Sequence, residues 1–142
     1  MNEIFACEKL RDPLILLSRI LLSLLFIIFG WPKLVGFGAT EAYFASMGLP
    51  FPFLATVIAV VMELFVGLAI VFGFLTRPLA VLLAFYTLAT GLVGHAFWNM
   101  TGQAAVDAEI NFYKNVAIMG GLFLLYVTGA GRYSLDRWMS RG

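Results

Sequence analysis

Four apolar blocks, residues 14–31, 53–75, 79–98 and 112–128, set the terms on which this chain can fold. Each is near or above the roughly 18 residues that a helix needs to cross a bilayer. Inside hydrocarbon every backbone N–H and C=O must find a partner, and a single stretch achieves this only as a helix. Breakers separate the blocks: Pro32, then Pro50 and Pro52, then Pro78, then Gly102, and finally Gly129 and Gly131. With 62% of its residues hydrophobic and 12% charged, the chain lacks the polar surface to cover a soluble globule. It therefore reads as an all-α integral membrane protein, a four-helix up-down bundle with short interfacial helices. The spans are expected at about 13–31, 53–75, 78–98 and 111–130, in a single membrane domain over residues 1–142.

Other classes are excluded on composition. The one cysteine, Cys7, falls in the N-terminal tail and allows no disulfide framework, CxxC pair or cysteine-rich metal site. A net charge of +1 makes no case for nucleic acid. Arg19 lies inside the first block and no A-x-A-type site follows it, so that block reads as a retained span and not a cleaved signal.

Orientation follows from the basic residues. Lys9, Arg11, Arg77, Arg132, Arg137 and Arg141 fall on the side of the two termini, whereas the opposite side has Lys33 and Lys114 at helix ends, with Asp107 and Glu109. The positive-inside rule then places both termini, and the 75–78 turn, in the cytoplasm. That turn is short enough to make spans two and three an antiparallel hairpin. In the opposite connection, 32–52, Thr40 can cap a short helix running to Met47 with Gly48 as its stop. This is either an interfacial or re-entrant helix or an ordinary surface turn. Residues 134–141 read as a second amphipathic piece, with Leu135, Trp138 and Met139 against lipid and the arginines outward.

Ionisable residues inside the spans carry the functional signal, because a charge at the bilayer centre costs about 2.5–3.5 kcal/mol even on an insertion scale. At about 1.5 Å per residue, Glu63 lies roughly 19 Å from the cytoplasmic end of its span and His95 and Lys114 near 25 Å, with Arg19 about 9 Å in. Asn115 and Asn111 flank Lys114 on one face, and Ala59, Glu63 and Gly67 share a stripe, as do Thr87, Gly91 and His95. The expected site is a cluster of Glu63, His95 and Lys114, with Asn111 and Asn115 beside it. Each member has a plainer alternative. Glu63 could only fix helix register, His95 could simply bond a neighbouring helix, and Lys114 could snorkel outward. Arg19 either snorkels to headgroups or turns inward with Ser23, and Lys33 and Arg77 read most simply as interfacial anchors. There is no haem-type histidine pair, phosphate loop, GxSxG elbow or di-metal carboxylate set.

One ordered series of residues runs nearly the whole chain. It begins with Arg19, Leu24-Leu25-Phe26-Ile27, Gly30 and Lys33-Leu34, then Tyr43-Phe44 with Gly48-Leu49-Pro50. It continues through Glu63-Leu64, Gly67-Leu68, Gly73 and Thr76-Arg77 to His95-Ala96-Phe97-Trp98, Lys114-Asn115, Gly120-Gly121, Gly131 and Ser134-Leu135-Asp136. In this series the chain resembles the DoxX family of small bacterial membrane proteins. The resemblance implies a four-helix bundle in the bacterial cytoplasmic (inner) membrane, associated with quinol-oxidase, thiosulfate:quinone or thiol-stress systems. On that reading the protein is a component of a quinone-linked or thiol-redox system, without its own metal or flavin, with quinone as the expected cofactor. Its expected partners are the lipid bilayer and a redox enzyme or a second copy of itself. A small proton-coupled transporter and a purely structural or assembly subunit are the alternatives.

Overall fold

The alternation of apolar blocks and breakers becomes a series of helices. The computed structural model describes residues 7–141, with the side chain of Cys7 outside the described part. Its helices are α1 (Cys7–Val35), α2 (Phe37–Ser46), α3 (Pro52–Phe72), α4 (Thr76–Gly94), α5 (Gly102–Thr128) and α6 (Leu135–Met139). A 3-10 turn, Phe97–Asn99, follows α4, and no strand occurs among the described residues. Four segments are long and apolar enough to span a bilayer: Glu8–Val35, Pro52–Phe72, Thr76–Asn99 and Gly102–Thr128.

The distribution of side chains is that of a membrane protein. Leu21, Ile28, Phe65, Leu124 and Val127 are all more than half exposed, whereas Arg19, Ser23, Thr56, Glu63, Thr87 and Asn115 are buried. Water would penalise that many exposed apolar groups, and lipid does not.

The chain divides into two compact units, one holding α1–α3 and α6 with residues up to Leu75 and from Ala130, the other holding α4 and α5 over Thr76–Gly129. In the first unit, Ile15, Arg19, Ser23, Phe26 and Gly30 are buried along one stripe of α1 at steps of three or four residues. That stripe meets Ala59, Glu63, Gly67 and Ile70 of α3, all buried. A Cβ added to Gly67 would stand 3.2 Å from the Ile27 side chain, a measure of how closely the two helices approach. In the second unit, α4 and α5 pair through Leu83, Ala84, Leu122 and Leu125, all buried.

Several boundaries depart from the sequence reading for identifiable reasons. Pro32 does not end α1, which runs on to Val35. Proline removes one backbone donor and crowds the carbonyl four residues back, and Pro32 does so with only three helical residues left after it, Lys33, Leu34 and Val35. Thr40 does not cap α2. It lies inside the helix, where its hydroxyl donates back to the Gly36 carbonyl at 3.2 Å, so α2 begins at Phe37. Gly48, at φ +75°, is the stop that was expected, with Leu49 N–H closing onto the Phe44 carbonyl at 3.2 Å. The helix α5 begins well before the apolar run at Phe112, its polar first turns tied by Gln103 Nε2 donating to Asp107 at 2.9 Å.

Candidate functional site

The largest irregularity within a span coincides with its one carboxylate. Residues Val61–Val66 of α3 form a π-helical turn that contains Glu63. Such turns are rare and concentrate at functional sites. Facing it is Gly30 of α1, where a Cβ would fall 2.6 Å from the Leu64 nitrogen and 2.9 Å from Glu63 backbone and side-chain carbon. Only glycine permits this approach. Three residues further along the same face of α1, Lys33 reaches back and its Nζ donates to Glu63 Oε2 in an ion pair. The Lys33 ammonium also lies 3.4 Å from the Phe29 carbonyl. Side-chain exposure is 24% for Lys33 and 10% for Glu63, so this pair is largely withdrawn from solvent.

Lys33 is therefore not merely an interfacial anchor, and this corrects the sequence reading. Glu63 lies just past mid-span, and a lysine side chain is long enough to reach inward from a helix end. No residue pattern in the sequence marks this reach, because that Gly30 is the point of closest approach to Glu63 is a property of the packing. Carboxylate and ammonium both exchange protons, and together they present a donor and an acceptor to any group that enters.

Arg19 turns inward. It is 1% exposed, and its Nη1 and Nη2 donate to the carbonyls of Ala130 at 2.9 Å and Tyr133 at 2.5 Å. It thereby fastens the C-terminal segment to α1. Ser23 lies on the same stripe, but Arg19 Nε and Ser23 Oγ are each buried without a hydrogen-bond partner among the described residues. The segment is held further by Leu75 N–H donating to Asp136 Oδ1 at 2.7 Å and Asp136 N–H to the Gly73 carbonyl at 2.8 Å. Gly73, at φ +70°, leaves room for this, since a Cβ there would strike the Arg19 guanidinium and Ser134.

The remaining sequence candidates belong to the second unit. Lys114 is exposed and donates to Asn111 Oδ1 at 2.6 Å. Asn115 is buried, and its Nδ2 donates to the Thr87 carbonyl at 3.1 Å and lies 3.4 Å from Thr90 Oγ1. Gly91 makes space for it, with the Asn115 amide 3.3 Å from the position of an added Cβ. His95 stands half-buried just past the end of α4, its backbone N–H on the Gly91 carbonyl at 3.0 Å. Next to it, Phe97, Trp98, Phe112 and Tyr113 form an aromatic cluster with ring centroids 5.1–6.2 Å apart. No group of three His, Cys, Asp or Glu that could hold a metal ion occurs among the described residues.

Comparison with known proteins gives this arrangement a lineage. Residues 14–96 match the DoxX family profile. The inner membrane protein YphA of Escherichia coli is 55% identical over 127 residues, covering 89% of this chain and 91% of that protein. The inner membrane protein YqjF of the same organism is 41% identical over 134 residues, or 94% and 98% of the two chains. A Bacillus subtilis protein bearing the name "Putative oxidoreductase CatD" is 41% identical over 69 residues, covering 49% of this chain and 50% of that one. No solved structure matches. With the profile spanning the segment that holds Arg19, Gly30, Lys33, Glu63 and His95, the chain belongs to the DoxX family of multi-pass inner-membrane proteins.

Proposed function

We propose that this protein is a component of a quinone-linked or thiol-redox membrane system in which Lys33 and Glu63 form a proton-exchanging polar site. The observation that carries this reading is the largely buried Lys33–Glu63 pair on a π turn, opposite a glycine. A pair of opposite charges inside a membrane unit costs desolvation free energy that an apolar pair would not. A chemical role accounts for its presence, and intramembrane ionisable groups commonly mark such roles. The name of the Bacillus subtilis relative adds support from outside the chain.

The ligand on this reading is a carbonyl-bearing ring of the quinone type, which takes up two electrons and two protons on reduction. This chain's side chains would serve the proton half. The Lys33 ammonium would donate a hydrogen bond to a carbonyl of the oxidised ring, and the Glu63 carboxylate would accept one from a hydroxyl of the reduced ring. Electrons must come from a redox enzyme bound alongside. In the second unit, His95 and Lys114 are the proposed groups for proton exchange, with the amides of Asn111 and Asn115 as hydrogen-bonding groups. Both termini are proposed to be cytoplasmic, from the basic residues they carry.

Protein purified from its own membrane should carry extractable quinone, and Lys33→Met and Glu63→Gln should lose it. A preparation that holds no quinone, binds no quinone analogue and brings down no redox enzyme would overturn the proposal. A register-fixing role is the second reading, favoured by the close approach of Gly30 to Glu63. It predicts that both substitutions lower stability while any bound quinone stays.

A further inference from the structure

We infer that the first unit holds a binding site for an anionic phospholipid, built where its C-terminal segment folds back on the start of α1. Two adjoining hollows make up the site. One, of about 490 Å³, is lined by Arg11, Asp12, Gly131, Arg132, Arg137 and Arg141. The other, of about 350 Å³, is lined by Pro13, Leu16, Leu17, Ile20 and Tyr133. They adjoin at two places in the chain, where Asp12 is followed by Pro13 and Arg132 by Tyr133.

The chemistry changes sharply across that junction. Four guanidinium groups face one carboxylate in the first hollow, and Asp12 Oδ1 already accepts from the Arg132 backbone N–H at 3.0 Å. Guanidinium is the side chain best matched to phosphate oxygens, which it can meet with two parallel hydrogen bonds. The second hollow is lined by aliphatic carbon and a tyrosine ring. Its residues on α1 run from Pro13 to Ile20, about 10 Å along the helix axis, which is the length of several acyl carbons. A phosphate-bearing headgroup over a fatty chain is the ligand whose two ends match these two hollows.

A lipid fits better than a free phosphate because of where the arginines stand. The apolar run of α1 begins at Leu14, so Arg11 lies at the edge of the hydrocarbon, the level of headgroups. The short helix α6 exposes Leu135, Trp138 and Met139, Trp138 by 74%, and these would lie in the same interface. The arginine cluster is also assembled and not loose. Arg19 holds the carbonyls of Ala130 and Tyr133, and Asp136 holds the 73–75 turn, so the segment that carries three of the four arginines is fixed against α1.

The test uses the full chain in neutral detergent. Binding of phosphatidylglycerol, phosphatidylcholine and inorganic phosphate is followed by native mass spectrometry. Phosphatidylglycerol should be retained in preference to phosphatidylcholine. An arginine at a lipid surface accounts for about fivefold in affinity, so Arg132→Gln with Arg137→Gln should weaken phosphatidylglycerol roughly 25-fold. Both side chains are exposed and hold no part of the helix packing, and the double Lys variant should restore most of the loss. Leu17→Trp, which fills the apolar hollow, should weaken the lipid severalfold. Equal retention of the two lipids overturns the inference, as does a Gln variant that keeps its preference. Displacement of phosphatidylglycerol by millimolar inorganic phosphate, or indifference to Leu17→Trp, would assign the arginines to a free anion and overturn the lipid assignment.

Discussion

Replacing Lys33 by methionine removes the ammonium that Glu63 holds while keeping an unbranched side chain of similar length. What remains is a carboxylate with 10% of its side chain exposed and its cation gone. Breaking a buried pair from one side costs roughly 3–5 kcal/mol, and the 24% exposure of Lys33 places this case near the lower end, at about 3 kcal/mol. The converse change, Glu63→Gln, is milder. The amide oxygen still accepts from the ammonium, so the loss is the difference between a charge-assisted and a neutral hydrogen bond, about 1 kcal/mol. Lys33 can also extend outward once released. The double variant leaves a neutral amide lacking one donor, at a cost of about 1–2 kcal/mol. The cycle therefore predicts a coupling of roughly 2–3 kcal/mol and, more tellingly, a threefold asymmetry between the single variants. Reversible unfolding in mixed micelles, titrated with sodium dodecyl sulfate and followed by far-ultraviolet circular dichroism, measures all four corners. If Lys33→Met costs no more than Glu63→Gln, or if the two single costs add to within about 0.5 kcal/mol, the pair is not the buried unit described here.

Other substitutions probe the same physics elsewhere. Gly30→Ala puts a methyl 2.6 Å from the Leu64 nitrogen, so α1 and α3 must separate by several tenths of an ångström. This should cost about 1–3 kcal/mol, read as a lower melting temperature, and an unchanged melt would refute the close approach. Arg19→Met leaves the carbonyls of Ala130 and Tyr133 without their charged donor, at about 3 kcal/mol, and should speed tryptic cleavage at Arg132 and Arg137. Cleavage at the wild-type rate would show that Arg19 does not hold the segment. Asn115→Leu should destabilise by only about 1 kcal/mol, the usual worth of an interhelical hydrogen bond in a membrane, and a loss above about 3 kcal/mol would mean that Asn115 does more than bond Thr87.

The spans were legible because a bilayer leaves one option for an apolar block of that length, and α2 because Gly48 and Pro50 stop it. Glu63 was legible for the opposite reason, as the residue least at home in hydrocarbon. The π turn around it was not, since no residue preference distinguishes a π turn from an α turn, and apart from Glu63 the sequence Val61–Val66 is as apolar as its surroundings. Nor were the partners of Arg19. They are backbone carbonyls more than a hundred residues away, and a carbonyl belongs to every residue, so nothing in the side chains announces them. Lys33 reads from the sequence as an anchor because charge at a helix end has a simple interfacial explanation, and the side chain's reach toward mid-span becomes visible only with Gly30 and Glu63 face to face.

These two charged residues of α1 also separate by chemistry. Arginine is the permanent cation, with a planar fork suited to holding several acceptors at once. At Arg19 it binds two carbonyls of the returning chain, a task that a proton-losing group would perform unreliably. Lysine and carboxylate exchange protons and are poor choices for a permanent fastening in low dielectric. They are good choices where a proton must come and go. The first unit thus has Arg19 where the returning chain is held, and the Lys33–Glu63 pair where the helix geometry departs from α and the neighbouring helix carries glycine. If the pair served only to set register, an arginine in place of Lys33 should serve at least as well. Lys33→Arg is therefore the substitution that divides the two readings. A stable protein that has lost bound quinone supports exchange chemistry, and a stable protein that retains it supports packing.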